Sequence, residues 1–269
     1  MKLTATPVEK PWGRTDLASV FGGLPNRQIG EIWFGHPAAQ DQPLLVKYIF
    51  TSEKLSIQVH PDDAEAKGRS LMRGKDECWY ILDAAEGATL GLGLKASVSA
   101  GDLRAAAIDG SIEDLMDWHP VRTGDFVYVP AGTVHAIGAG IMLIEVQQNI
   151  DVTYRLYDYG RPRELHLDDG IAVASLDEYS SANFRRAGAP VDTVLIDGPK
   201  FSLIRTSSAE NIPSLLLTRK RWVMPLKGRA SSDSDVASTG ECLFLDAGAP
   251  LSVSDSAVAL IAIEGSIKG

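Results

Sequence analysis

A chain of 269 residues with 45% apolar side chains is long enough for about two domains and can bury a substantial core, which excludes a disordered protein. Its net charge of −9 excludes a nucleic-acid binder, which needs a basic face, but still allows a small anion held by a local cluster of Lys and Arg. Cys78 and Cys242 suggest neither a disulfide framework nor a thiolate zinc site. Met1 to Asp16 has no signal-like apolar region, and the longest apolar run, Ala257 to Ile263, is too short to span a bilayer, so a soluble cytoplasmic protein with no membrane partner is expected.

In chain order the strand signals are Gly30 to Phe34, Leu44 to Phe50, Leu55 to Val59, Cys78 to Asp83, Phe126 to Val129 and Ile141 to Gln147. They are rich in Val, Ile, Tyr and Trp and punctuated by Gly, Pro and Asp, as an antiparallel sandwich or barrel requires. Helical signals are few. Asp62-Asp63 after Pro61 predicts a short helix to about Leu71. Ser99-x-x-Asp102 and Ser111-x-x-Asp114 read as N-terminal caps opening Leu103 to Ile108 and Ile112 to Trp118, a helical insert near residues 95–118.

Three segments carry metal-ligand chemistry. Gln58 and His60 are two apart, so on a strand they share a face. In Gly124 to His135, Gly124-Asp125 makes a turn, Phe126 to Val129 a short apolar strand, and Pro130-Ala131-Gly132 a bend that sets His135 on the next strand. With Glu77 these give two imidazoles, a carboxylate and an amide oxygen, a borderline-hard set suited to zinc, with manganese or ferrous iron as substitutes. The same pattern returns without gaps in Gly240 to Leu251, where Pro130 becomes Asp246, His135 becomes Leu251, and no histidine follows His166. The chain is therefore expected to divide between Leu176 and Lys200, into a metal-binding unit (residues 1–175) and a metal-free unit (residues 176–269). His36, His119 and His166 read as turn or surface histidines; His166, close to Glu164, is a minor second-site candidate.

The string from Gly124 to His135 fits the second cupin motif, G-x5-P-x-G-x2-H, and with its degenerate copy it implies a mainly β double cupin, two jelly-roll β-barrels with a short helical insert. Leu55 to Asp63, Gly74 to Tyr80, Pro130 to Ile137 and Gln148 to Tyr159 together resemble the type I mannose-6-phosphate isomerase family in its short bacterial form, over residues 47–170. The resemblance implies one zinc ion (Zn2+) per chain on Gln58, His60, Glu77 and His135. It implies that Ser56 and Lys47 bind a small-molecule sugar phosphate, and that Lys75 and Arg155 are the catalytic-pocket cations. The implied reaction interconverts mannose 6-phosphate and fructose 6-phosphate through a cis-enediol(ate), with Lys75, Glu145 and Asp151 all available as the base. Trp12-Gly13 and Glu31-Ile32-Trp33 match family segments near the sugar, or are barrel core. Two features depart from the family pattern: the motif's later Asn is absent at Ala139, and the C-terminal third carries no signature. Two other readings stand beside this one. A ferrous-iron cupin dioxygenase usually brings an H-x-H pair, whereas Gln58 holds the first position here; a non-catalytic sugar-phosphate-binding cupin would not need Lys75 and Arg155. Arg155 among Tyr154, Tyr157 and Tyr159 reads equally as a stacked structural arginine. Oligomeric state is not set by the sequence.

Overall fold

The computed structural model describes residues 1–17, 27–35, 42–233 and 235–268, apart from the side chains of Ser214 and Leu215; His36 lies outside the described residues. A seven-stranded antiparallel sheet runs in the order Ala5–Arg14, Ile29–Phe34, Leu44–Phe50, Ile141–Gln148, Glu77–Ala84, Phe126–Val129 and Phe184–Arg185. One of its faces meets a five-stranded sheet ordered Tyr154–Tyr157, Ile57–Val59, His135–Ile137, Thr89–Leu94 and Met116–Pro120. The contact is made by Trp79, Ile81 and Leu143 against Leu90, Leu92 and Ile137.

The other face of the large sheet is covered by the C-terminal half. Tyr48, Cys78 and Ile144 share a core with Leu203, Trp222 and Leu260. This explains why Leu44–Phe50 is buried at every position and reads as a continuous run rather than an alternation. The C-terminal half has its own five-stranded sheet, ordered Thr193–Asp197, Phe201–Thr206, Val258–Glu264, Arg221–Lys227 and Leu243–Leu245. A three-stranded sheet of Asp235–Ser238, Arg229–Ser232 and Ser252–Val253 completes it. The architecture is the mainly β double cupin expected from the sequence.

The helical insert differs from the sequence reading. Ser99 caps Ala100–Asp109, its side chain accepting the Asp102 N–H, but Ser111 makes no side-chain cap. The second helix stops at Ile112–Leu115 because Met116–Pro120 pairs with Thr89–Leu94, which puts Trp118 on a strand. The first helix spans Asp63–Gly68, short of Leu71, with a complete capping box between Asp62 and Glu65. Strands Ala5–Arg14, with two prolines, and Thr89–Leu94, with two glycines, lack the composition that announces a strand. No helix among the described residues is long and apolar enough to cross a membrane.

The internal repeat is geometric as well as sequential. Gly124 and Gly240 adopt φ of 88° and 89°, and Gly132 and Gly248 adopt 84° and 79°, the left-handed region that favours glycine. Between them lie Phe126–Val129 in one copy and Leu243–Leu245 in the other, while Leu251 packs partly buried against the second core. The pairing extends the correspondence further. Glu77 pairs with Val129 and Arg221 pairs with Leu245, so Arg221 occupies in the second copy the register of Glu77 in the first. Fully buried, Arg221 donates Nη2 to the carbonyls of Asp246 (3.3 Å) and Ala249 (2.5 Å). A cation in the register of the carboxylate, with Leu251 in that of His135, gives the second barrel a different interior from the first.

Candidate metal centre and the cavity beside it

Ile57–Val59 and His135–Ile137 are neighbours, with Gln58 paired directly to His135, and the chain leaving the first strand carries His60. Glu77 opens the strand Glu77–Ala84 on the facing sheet. His60, Glu77 and His135 are all buried, and their candidate ligand atoms lie within 4.8 Å of one another. Glu77 Oε1 is 3.2 Å from His135 Nε2, and Oε2 is 3.5 Å from His60 Nε2. His135 Nδ1 lies 2.8 Å from the Thr133 carbonyl, which can only accept, so Nδ1 carries the proton and Nε2 presents a lone pair to the centre. The Gln58 amide nitrogen is 3.2 Å from that Nε2, and its oxygen accepts from Ser56 Oγ at 3.2 Å. A half-turn of the amide exchanges the two atoms, and the Ser56 hydroxyl can serve either.

Neither oxygen of buried Glu77 makes a hydrogen bond. The Lys75 ammonium lies 3.2 Å from Oε2, but Oε1 faces the His135 lone pair with no donor of its own, and a metal ion between the imidazoles would satisfy it. The donor set of two nitrogens, a carboxylate and an amide fits a divalent ion such as zinc. Lys75 stands beside it, its Nζ 3.1 Å from His60 Nε2 and 3.2 Å from Glu77 Oε2.

Electrostatics prepare the same set. Burial, with Lys75 adding to it, pulls His60 down to about 3, and burial lowers His135 too, so both rings are neutral at pH 7. Burial would raise Glu77, but Lys75 and the two imidazoles hold it well below the usual carboxylate range. The consequence for stability has a definite sign. Below about pH 6.5 the unfolded chain protonates both histidines while the fold resists it, so the metal-free protein should lose stability as pH falls, by about 1.4 kcal/mol per pH unit for His60 down to about pH 3, with a loss of the same sign for His135. Glu77, depressed in the fold, adds a loss of the same sign below its ordinary value of 4.5. Thermal midpoints of metal-free protein from pH 8 to 4 measure this, and a midpoint that rises on acidification contradicts two buried neutral imidazoles.

A cavity of about 430 Å³ opens beside the centre. Lys47, Ser56, Gln58, Lys75 and Arg155 all line it, as do the base candidates Glu145 and Asp151. Buried Lys47 donates to Glu145 Oε1 at 3.1 Å and Gln147 Oε1 at 2.6 Å, and Trp79 Nε1 donates to Glu145 Oε2 at 3.1 Å. Burial raises the pKa of Glu145, with Lys47 opposing. Arg155, paired opposite Gln58, donates its N–H to His166 Nδ1 at 3.2 Å and Nη1 to the Glu164 carbonyl at 3.0 Å. Trp12, Glu31 and Trp33 belong to the wall, so those segments serve the cavity as well as the barrel.

Sequence reasoning missed Lys10 and Arg163. Lys10 arrives on the proline-containing first strand, and Arg163 is held at the rim by both oxygens of buried Asp158 at 2.6 Å. The Asp158–Arg163 spacing was the available signal. The walls bring five Lys or Arg side chains of an acidic chain together around one cavity, where they can meet an anion. His119 sits apart, 3.0 Å from Asp117. His166 lines the cavity but is not among the clustered ligand atoms.

No family model matches the chain. A mannose-6-phosphate isomerase of Streptococcus mutans is 34% identical over 238 residues, covering 73% of this chain and 75% of that protein. A mannose-6-phosphate isomerase of Bacillus subtilis is 34% identical over 237 residues, covering 72% and 75%. Among solved structures, the mannose 6-phosphate isomerase of Bacillus subtilis superposes with a TM-score of 0.79 at 26% identity, over 97% of this chain and 98% of that one. A zinc-bound mannose 6-phosphate isomerase superposes with a TM-score of 0.70 at 14% identity, over 98% and 99%, a likeness of fold.

Proposed function

The chain belongs to the mannose-6-phosphate isomerase family, and from that premise we propose that it is a zinc-dependent aldose–ketose isomerase interconverting mannose 6-phosphate and fructose 6-phosphate. The observation that carries the proposal is the buried cluster of His60, Glu77 and His135, in which neither Glu77 oxygen makes a hydrogen bond, at the edge of a cavity lined by lysines and arginines. His60, Glu77, His135 and the Gln58 amide oxygen would hold one zinc per chain. A bound divalent ion supplies Lewis-acid stabilisation of charge developing on oxygen. With two neutral imidazoles and a neutral amide, Glu77 supplies the only ligand charge, which leaves the site net cationic.

The remaining work falls to the chain's own side chains. Lys47 and Ser56 are assigned to the sugar phosphate, Lys47 held on a buried acid–amide pair and Ser56 beside the Gln58 amide. Arg155 and Lys75 place fixed positive charge where the enediolate forms as a proton moves between C1 and C2. Of the carboxylates facing the cavity, Glu145 is the better proton acceptor, because burial raises its pKa, whereas Asp151 is exposed. Lys75, beside the metal ligands, is the second group able to pass a proton. The cytoplasmic setting is part of the same proposal and agrees with two free, buried thiols, Cys78 and Cys242.

The test is a coupled assay for fructose 6-phosphate formed from mannose 6-phosphate, alongside metal analysis of the same preparation. We expect about one zinc per chain, turnover lost on chelation, and turnover restored by zinc. A fully metallated protein that binds mannose 6-phosphate without turning it over would be a sugar-phosphate-binding cupin. Oxygen consumption supported by ferrous iron, without isomerisation, would make it a dioxygenase.

A further inference from the structure

Among the described residues, none beyond His166 lines the cavity, yet a lysine of the second barrel ties into the segment beside the metal centre. Lys200 lies on the turn between Thr193–Asp197 and Phe201–Thr206, and its ammonium donates to Asp63 Oδ2. The turn is rooted in its sheet: Gly198 N–H donates to the Phe201 carbonyl at 3.1 Å, and Gly265 N–H to the Lys200 carbonyl at 2.8 Å. Asp63 opens the short helix that follows His60. Its other oxygen, Oδ1, accepts the Gly74 N–H at 2.7 Å and Gln148 Nε2 at 3.0 Å. Gln148 Oε1 in turn accepts the Asp76 N–H at 3.0 Å.

Lys75 is therefore flanked on both sides by residues tied to this network, and its own N–H donates to the Pro61 carbonyl at 3.0 Å. The segment has little slack, since a Cβ at Gly74 would come within 2.4 Å of the Asp62 carbonyl carbon. Its reach is what brings Lys75 Nζ to His60 and Glu77. Take away Lys200 and the Asp63 carboxylate loses its cation; with a side chain 43% exposed, it is then free to turn to water and release Gly74. The pair itself is part-exposed and contributes little to stability directly, so its value lies in geometry.

We infer that Lys200 and Asp63 are positioning residues through which the second barrel fixes Lys75 beside the metal ligands. The inference rests on Lys75 belonging to the isomerase site proposed above. Its test compares zinc-loaded parent, Lys200→Ala and Lys200→Arg, with Tyr80→Phe as control. That control removes another contact between the barrels, Arg205 Nη1 to Tyr80 Oη at 3.1 Å, which does not touch residues 74–76. Lys200→Ala should lower kcat about fivefold with KM nearly unchanged, as loss of alignment does. Lys200→Arg should restore most of it, Tyr80→Phe should leave kcat alone, and amide exchange at Gly74 to Asp76 should quicken in Lys200→Ala alone. Unchanged kcat in Lys200→Ala, or an equal loss in Tyr80→Phe, overturns the assignment. If the parent itself does not isomerise mannose 6-phosphate, the functional proposal falls instead. The exchange comparison still decides whether Lys200 and Asp63 hold this segment, which is refuted if residues 74–76 exchange alike in parent and Lys200→Ala.

Discussion

Replacing His135 by alanine should strip zinc from the protein and lower kcat/KM by about 10³ or more, since a catalytic divalent ion is worth several kcal/mol of charge stabilisation. His135 Nε2 faces Glu77 Oε1 at 3.2 Å, and its lone pair is fixed by the Nδ1 bond to Thr133. Its loss leaves one imidazole, and Glu77 then faces only His60 and Lys75. The ring is buried and meets Trp79 edge-on at 5.5 Å, so truncation also opens a hole and should cost about 2–3 kcal/mol of stability. Comparison with His135→Gln separates the two effects: the longer side chain fills the space and keeps an oxygen within reach, so it should recover stability and only part of the zinc. Metal content per chain, thermal midpoint and isomerase rate are measured on the same samples. A His135→Ala protein with parental zinc and parental turnover would falsify the ligand assignment.

Much of this candidate centre was legible because three of its four candidate ligands follow from a local rule. Gln58 and His60 are brought together by strand alternation, and His135 by a turn whose glycines must be left-handed. The same rule exposed the second copy, in which Gly240 and Gly248 keep their conformation after the ligand histidine has gone. What stayed hidden depends on partners distant in sequence. Lys10 reaches the cavity only because its strand pairs with Ile29–Phe34, and nothing near Lys10 signals that pairing. Trp118 looked helical until Thr89–Leu94 offered it a ladder. Arg221 begins a strand, where an arginine ordinarily faces solvent, and only the register with Leu245 places it where the first copy has Glu77. We keep the division of the chain near residue 175 as a proposal: Phe184–Arg185 still pairs with Phe126–Val129, so the chain returns to the first sheet before building the second unit.

Arg155→Ala should keep zinc and fold but lower kcat by about 10²–10³, the scale of removing one preorganised oxyanion donor. Twenty residues after His135, the strand Tyr154–Tyr157 brings Arg155 back beside Gln58, on the wall of the cavity. The neighbouring tyrosines have other cations over them: Arg69 lies 5.9 Å from the Tyr154 ring and Arg161 lies 5.3 Å from that of Tyr159. Arg155 instead spends one N–H on the Glu164 carbonyl, and most of its donor fork remains available to a ligand. A guanidinium stays charged at any working pH, so it can stabilise an enediolate without surrendering a proton to it. Arg155→Lys should therefore recover only part of the rate, because a point charge does not reproduce the planar fork. The measurements are kcat, KM and zinc content for both variants. A change confined to KM would assign Arg155 to binding shared equally by ground and transition states. No change in either constant would leave Arg155 as the residue that ties the strand to the Glu164 loop, and the positive charge beside the enediolate would then rest on Lys75 alone.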